Sequence, residues 1–282
     1  MARIEEVEET HVTPGPAKTT KRKETPPVIK YYLAAFNALS ALGWSYVLVV
    51  TAIHLFQLDS PKHSPLPFLV PLAKSVPFVP RALTKYPNLR DVEAVIPGVL
   101  VPVLRRATTT YARVGYQTAL VQSLAIMEVV HSLLGFVRSP LFTTATQVWS
   151  RYMLVWGVAN VFPSSQTSPF YASMVLSWSI TEVIRYSHYT LNLLDGESYL
   201  LLWLRYTTFY LLYPTGAGSE AFVMLASLPK SYSAYAVYDW ARALFFVFWW
   251  PGLAFLMLHM QKQRSKALGG GKKRSGVKSK TS

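Results

Sequence analysis

Apolar positions gather into six runs along the chain, separated by polar or Pro- and Gly-containing stretches. The first run is Val28 to Leu58; the others cover about 114–137, 143–162, 170–193, 198–213 and 239–260. A helix of about 20 apolar residues crosses the hydrocarbon of a bilayer. Each run is therefore read as a span, the first over about 31–57. The pattern predicts an all-α membrane protein, a six-transmembrane-helix bundle within residues 28–260.

The stretches between the runs complete the organisation. Residues 1–27 are polar, with Glu5, Glu6, Glu8 and Glu9 ahead of Lys21, Arg22 and Lys23, and are expected to be a disordered cytosolic tail. The run that follows is longer than the apolar segment of about 7–15 residues in a signal peptide. Residues 59–113 hold nine of the chain's 19 prolines. Their apolar patch, Ala94 to Leu104, contains Pro97 and Pro102, so a long Pro-rich loop that dips into the membrane interface is expected there. Residues 261–282 form a basic tail after the last run.

Composition agrees with the pattern. The chain is 51% hydrophobic and only 15% charged, where soluble domains carry about 25% charged residues. The net charge of +14 sits mostly outside the apolar runs. Basic flanks beside spans read as cytosolic anchors near acidic lipid rather than as a nucleic-acid site. With six spans, Lys21–Lys23 and Lys30 before the first and Lys262, Arg264 and Lys266 after the last place both termini in the cytosol. The basic 59–113 loop then falls in the lumen, against the trend. Cysteine is absent, which excludes disulfides, thiolate metal sites and a cysteine nucleophile.

Polar residues inside the runs fall on stripes. Gln117, Leu124, Glu128, His131 and Gly135 share one face, and Trp178, Glu182, Arg185 and Tyr189 recur at helical spacing. Gln147, Arg151 and Arg205 add to the set. Charges in hydrocarbon face the bundle interior, so Glu128, Arg151, Glu182, Arg185 and Arg205 are expected to form one buried network. Such groups either pair to hold helices together, at about 0.6–2 kcal/mol per bond, or take part in chemistry; both readings stay open. The six histidines include no pair at i, i+3 or i+4, so no metal site is expected. No Gly-x-Gly-x-x-Gly motif follows a strand signal, so no nicotinamide cofactor is expected either.

One further stretch mixes aromatic, helix-breaking and acidic residues. Tyr206, Tyr210 and Tyr213 form a stripe, then Pro214, Gly216 and Gly218 are expected to break the helix before Glu220. The segment Tyr213-Pro214-Thr215-Gly216-Ala217-Gly218-Ser219-Glu220 resembles the active-site segment of the very-long-chain 3-hydroxyacyl-CoA dehydratases, also called protein tyrosine phosphatase-like. Further blocks agree in order: Gln117-Thr118-Ala119 with Glu128-Val129-Val130-His131 and Gly135, Gln147-Val148-Trp149-Ser150-Arg151, and Trp178-Ser179-Ile180-Thr181-Glu182-Val183-Ile184-Arg185-Tyr186. The resemblance covers about Tyr31 to Phe248 and says least about the Pro-rich insert. Without cysteine, the phosphatase-like name cannot describe this chain's chemistry.

The resemblance implies a hydro-lyase that converts (3R)-3-hydroxyacyl-CoA to trans-2-enoyl-CoA, the third step of fatty-acid elongation, in the endoplasmic reticulum membrane. It implies as partners acyl-CoA, membrane lipid, the elongase condensing enzyme, the 3-ketoacyl-CoA reductase and the enoyl-CoA reductase, and no cofactor. Its catalytic Tyr and Glu match Tyr213 and Glu220. Arg205, Tyr206, Glu182, Arg185, Tyr186, Glu128 and Arg151 are candidates for substrate binding or support.

Such a dehydration needs a base for the proton beside the thioester carbonyl and an acid for the departing hydroxyl. Glu220 is assigned as base and Tyr213 as acid, with the reverse open. In an unbroken helix the two would lie about 10.5 Å apart along the axis, so the Pro214–Gly218 break is expected to bring them together. A span ending at Tyr213 also puts the pair towards the lumen, although acyl-CoA is cytosolic. Two other readings stand beside this one: a non-catalytic membrane scaffold of a lipid-synthesis complex, and a small-solute transporter, which the lack of a visible inverted repeat counts against. Lys278 and Lys280 resemble a dilysine retrieval signal on a cytosolic tail.

Overall fold

The computed structural model describes residues 26–58, 97–137 and 139–268, and all regular structure among them is helical. Most of the N-terminal tail, residues 59–96 of the Pro-rich insert, and the end of the basic tail with Lys278 and Lys280 lie outside the described residues. The helices are α1 (Pro27–Phe56), α2 (Val101–Ala107), α3 (Thr110–Ser123), α4 (Ile126–Leu133), α5 (Leu141–Tyr152), α6 (Pro163–Gln166), α7 (Pro169–Leu193), α8 (Tyr199–Arg205), α9 (Phe209–Ala226) and α10 (Val237–Leu268). A π-helical segment, Met153–Ala159, continues α5.

Proline sets several starts. Pro27, Pro163 and Pro169 each sit in the first positions of a helix, where the missing N–H costs nothing and the fixed φ suits the helix. The Ser198 hydroxyl accepts the Leu201 N–H and caps α8. Gln57 ends α1 in the left-handed region, at φ 53°.

Helix α7 is the axis of the packing. Helix α1 lies along one side of it and α9 along another; α3 packs on α1, and α10 packs mainly on α9. Trp44, Val47 and Val50 of α1, Tyr171, Met174, Val175 and Trp178 of α7, and Val223 and Met224 of α9 form the core. The rings of Trp44 and Trp178 meet edge to face, with centroids 6.4 Å apart.

Two groups of contacts mark the two ends of the bundle. At one, Lys30 Nζ pairs with Asp195 at 2.5 Å, Tyr32 Oη meets His131 Nε2 at 3.0 Å, and Arg264 Nη1 donates to the Tyr206 carbonyl at 2.9 Å. At the other, His54 meets Thr109 at 3.0 Å, Ser165 donates to the Val223 carbonyl at 2.9 Å, and the Arg242 guanidinium lies 3.9 Å above the Phe162 ring.

Three expectations change. The described end of the Pro-rich stretch is not loop: residues 98–107 are helical, with Pro102 in the first turn of α2. Residues 114–137 are not one helix, since α3 and α4 meet in a tightened turn whose bonds run from Leu124 N to Val121 O and from Ala125 N to Gln122 O. The run 198–213 is likewise divided, but at Tyr206–Thr208 rather than at Pro214. Beyond that joint α9 is continuous through Pro214, Gly216 and Gly218 to Ala226.

The continuity has a local reason. Pro214 removes one hydrogen bond, and the rest of the ladder holds because α9 is packed on both sides. Gly216 serves that packing: a Cβ there would stand 3.3 Å from Ser177 Cβ and 3.9 Å from Trp178 Cδ1. Ser177 and Thr215 hydrogen-bond across the seam at 2.9 Å.

Among the described residues, two helices, Pro27–Phe56 and the Val237–Ser265 part of α10, are long and apolar enough to cross a membrane. The latter keeps Trp240, Phe245, Phe248 and Phe255 exposed.

Candidate active site

The stripe on α7 faces the interior. Glu182 is 3% exposed. One of its oxygens meets Arg151 Nη1, and the other accepts Arg185 Nε at 2.6 Å. Arg185 then reaches Glu128 with both terminal nitrogens, at 3.0 and 2.7 Å, and the Tyr186 hydroxyl donates to the same carboxylate. Two carboxylates and two guanidiniums balance, which is how buried charge is held at tolerable cost. The π segment begins two residues after Arg151. Its wider turn resets the helix face, so Arg151 meets α7 while Leu154, Val155 and Val158 enter the core.

Arg205 does not join this network, contrary to expectation. Its guanidinium lies 4.7 Å from the Tyr189 ring centroid and donates through Nη2 to the Tyr189 hydroxyl at 2.9 Å. Its Nη1 is buried and makes no hydrogen bond. The Tyr206 ring is 5.8 Å from the same guanidinium. His131 is committed to Tyr32 and packs edge to face on Phe36.

Tyr213 lines a small cavity of about 60 Å³, together with Thr181, Arg185, Arg205, Thr208 and Met260. The cavity sits where α7, α8, α9 and α10 converge, next to the α8–α9 joint. Glu220 lies two turns farther along α9, 9% exposed, and its Oε1 accepts the Trp178 indole N–H at 2.6 Å. Trp249 of α10 stands beside the same carboxylate. Among the described residues, no group of three or more His, Cys, Asp or Glu is arranged to hold a metal ion.

Because α9 is unbroken, Tyr213 and Glu220 are seven residues apart on one helical face, about 10.5 Å along the axis. The expected role for Pro214 and the glycines, folding the two side chains together, is therefore corrected. The distance is still usable. Two hydrogen-bond reaches plus the C2–C3 and C3–O bonds of a 3-hydroxyacyl group span about 8 Å. Tyr213 and Glu220 make no direct contact: Tyr213 faces the cavity and Glu220 is held by Trp178.

Three participants were missed at the level of sequence. Trp178 appeared only as a member of the α7 stripe, since its partner Glu220 is 42 residues away. Met260, on the last helix, carried no signal for a cavity wall. Arg264, which donates to both the Tyr206 carbonyl and the Thr207 hydroxyl across the α8–α9 joint, had counted only as a basic flank.

The profile of the family described as Protein tyrosine phosphatase-like protein, PTPLA, matches residues 122–270. Curated relatives extend the similarity. A Caenorhabditis elegans protein named very-long-chain (3R)-3-hydroxyacyl-CoA dehydratase is 32% identical over 260 residues, covering 87% of this chain and 98% of its own. A Schizosaccharomyces pombe protein named probable very-long-chain (3R)-3-hydroxyacyl-CoA dehydratase is 44% identical over 147 residues, 52% of this chain and 71% of its own. The Arabidopsis thaliana dehydratase PASTICCINO 2 is 36% identical over 189 residues, 59% of this chain and 86% of its own. No solved structure matches.

Proposed function

We propose that this chain, which belongs to the protein tyrosine phosphatase-like (PTPLA) family, is a hydro-lyase that converts (3R)-3-hydroxyacyl-CoA to trans-2-enoyl-CoA. The step is the dehydration of the very-long-chain fatty-acid elongation cycle. The carrying observation is the pairing, on one face of α9, of a tyrosine that lines a cavity with a buried carboxylate held by a neutral donor. Neither needs a cofactor to move a proton.

Tyr213 and Glu220 form the acid–base pair. Glu220 takes the proton beside the thioester carbonyl and Tyr213 protonates the departing hydroxyl; the opposite assignment uses the same geometry. Arg205 and Arg185 line the cavity and, with Tyr206 beside Arg205, bind or orient the substrate. Glu128, Arg151, Glu182 and Tyr186 fix the wall behind it.

The chain crosses the endoplasmic reticulum membrane six times, with both termini cytosolic. Two long apolar helices and the exposed aromatic faces support the membrane reading. The long elements also alternate in direction between the two ends of the bundle. The end that carries Lys30, Asp195 and Arg264 is then the cytosolic one. This assignment removes the difficulty of a luminal site. The fifth crossing comprises α8 and α9, residues 199–226, rather than 198–213, so Tyr213 falls inside the bundle on the cytosolic side of Glu220. An acyl chain inserted from the cytosolic half passes Tyr213 before Glu220 with CoA outside. C2 then lies nearer Tyr213 and C3 nearer Glu220, an order that suits the opposite assignment of acid and base. The elongase condensing enzyme and the two reductases of the cycle are the expected neighbours.

Purified protein given a long-chain (3R)-3-hydroxyacyl-CoA should form the trans-2-enoyl product, measured by mass spectrometry. Absence of product across several chain lengths would favour the scaffold reading.

A further inference from the structure

We propose that Trp178 is a positioning residue for this reaction: its indole N–H holds Oε1 of Glu220 and so assigns the proton transfer to Oε2. The inference rests on the reading of Glu220 as a catalytic residue and adds which of its oxygens acts and what fixes it.

An indole N–H can donate but never accept. The oxygen it meets at 2.6 Å must therefore be an acceptor in every protonation state of Glu220. In the acid form the carboxyl proton is favoured on the other oxygen, Oε2, because a carbonyl oxygen accepts the indole N–H better than a hydroxyl oxygen does. In the ionised form Oε2 keeps lone pairs for a substrate proton. Trp249 stands beside the carboxylate as well, but the Trp178 bond, with a defined donor and acceptor atom, is the one that engages a named oxygen. The conclusion is the same whether Glu220 works as base or as acid.

The indole itself is immobilised from several sides. It is 3% exposed. Trp44 packs edge to face on it. The Arg151 guanidinium lies 4.2 Å from its ring centroid, and that cation is held in turn by Glu182. A guanidinium over an indole face polarises the ring and strengthens its N–H as a donor. Gly216 lies against the indole edge, and a Cβ there would stand 3.9 Å from Trp178 Cδ1. The α7 stripe thus reaches the acid–base residue in series: Glu182 orients Arg151, Arg151 packs on Trp178, and Trp178 orients Glu220.

The test is kinetic, on the full-length protein in detergent or liposomes with a long-chain (3R)-3-hydroxyacyl-CoA. Trp178→Phe keeps the aromatic face and removes the donor. It should lower kcat roughly 10- to 100-fold, the range for losing a hydrogen bond to a charged group. KM should stay within about twofold. In a Glu220→Gln background the same change should cause little further loss, because its effect passes through the missing carboxylate. Near-normal kcat in Trp178→Phe, or an equal fold loss in both backgrounds, would overturn the proposal. If Trp178→Phe does not fold, benzothienylalanine at position 178 replaces only the N–H with sulfur and gives the same comparison. A slow Glu220→Gln with a fast Trp178→Phe defeats this inference alone. A fast Glu220→Gln defeats the catalytic reading beneath it.

Discussion

At the scale of single residues, Tyr213 and Glu220 differ from their neighbours in what surrounds them. Tyr210, on the same stripe as Tyr213, is 47% exposed and turned outward, whereas Tyr213 lines the cavity. Tyr213→Phe and Glu220→Gln should each lower turnover roughly 10²–10⁴-fold, the contribution of a positioned acid or base. The double variant should be little worse than the slower single, since residues acting as one unit are not additive. Tyr210→Phe should retain most activity. Parallel product assays on folded protein decide among these, and wild-type rates in either catalytic variant would remove the pair from the mechanism. Glu182 predicts a different phenotype. Its carboxylate is bonded to two arginines in the interior, and removing one partner of a buried ion pair costs roughly 3–5 kcal/mol. Glu182→Gln should therefore show a lowered melting temperature and poor yield in detergent before any change specific to turnover. A melting curve equal to wild type would mean the network does not carry that load. The stripe Trp178, Glu182, Arg185 and Tyr189 was legible from spacing alone, because helical periodicity places such residues on one face. That Arg205 stands outside the network was not legible, because it depends on how α8 meets α7.

At the scale of elements, the informative case is α9. Pro and Gly in sequence signal a break, and the reading from sequence put one at Pro214–Gly218. The helix instead continues and the break falls at Tyr206–Thr208, where no breaker residue marks it. Packing on α7 and α10 outweighs local propensity here, and the glycine is used for close approach rather than flexibility. This leads to a prediction. Pro214→Ala restores an N–H to the helix interior, where proline is about 3 kcal/mol less favourable than alanine. The variant should melt higher and keep its turnover. If Pro214→Ala abolishes activity while leaving the fold intact, a broken conformation of α9 is needed during the reaction. The π segment after Arg151 is a second element outside the reach of sequence patterns, because a single wider turn leaves the apolar run 143–162 unchanged. By contrast α1 and α7 were legible almost to their ends, being long apolar runs started by Pro27 and Pro169.

At the scale of the whole molecule, the two ends of the bundle carry the topology. Lys30 and Asp195 join α1 to the α7–α8 link at one end. The 227–236 segment between α9 and α10 lies at the opposite end, beside the helices that meet there. Under the proposed six crossings with cytosolic termini, the first end lies in the cytosol and the second in the lumen. The natural chain contains no cysteine, so a single introduced thiol reports on one place only. Glu197 and Ser231 are both exposed, one at each end. In sealed microsomes, Glu197→Cys should react with a membrane-impermeant maleimide without detergent, and Ser231→Cys should react only after the membrane is opened. Neither change touches the buried network, so both proteins should keep dehydratase activity. Equal labelling of both thiols in sealed vesicles, or the reverse order, would invert the bundle. It would then place Tyr213 on the side of Glu220 away from the acyl-CoA supply, and that result would undo the route by which the substrate is argued to reach its acid and base.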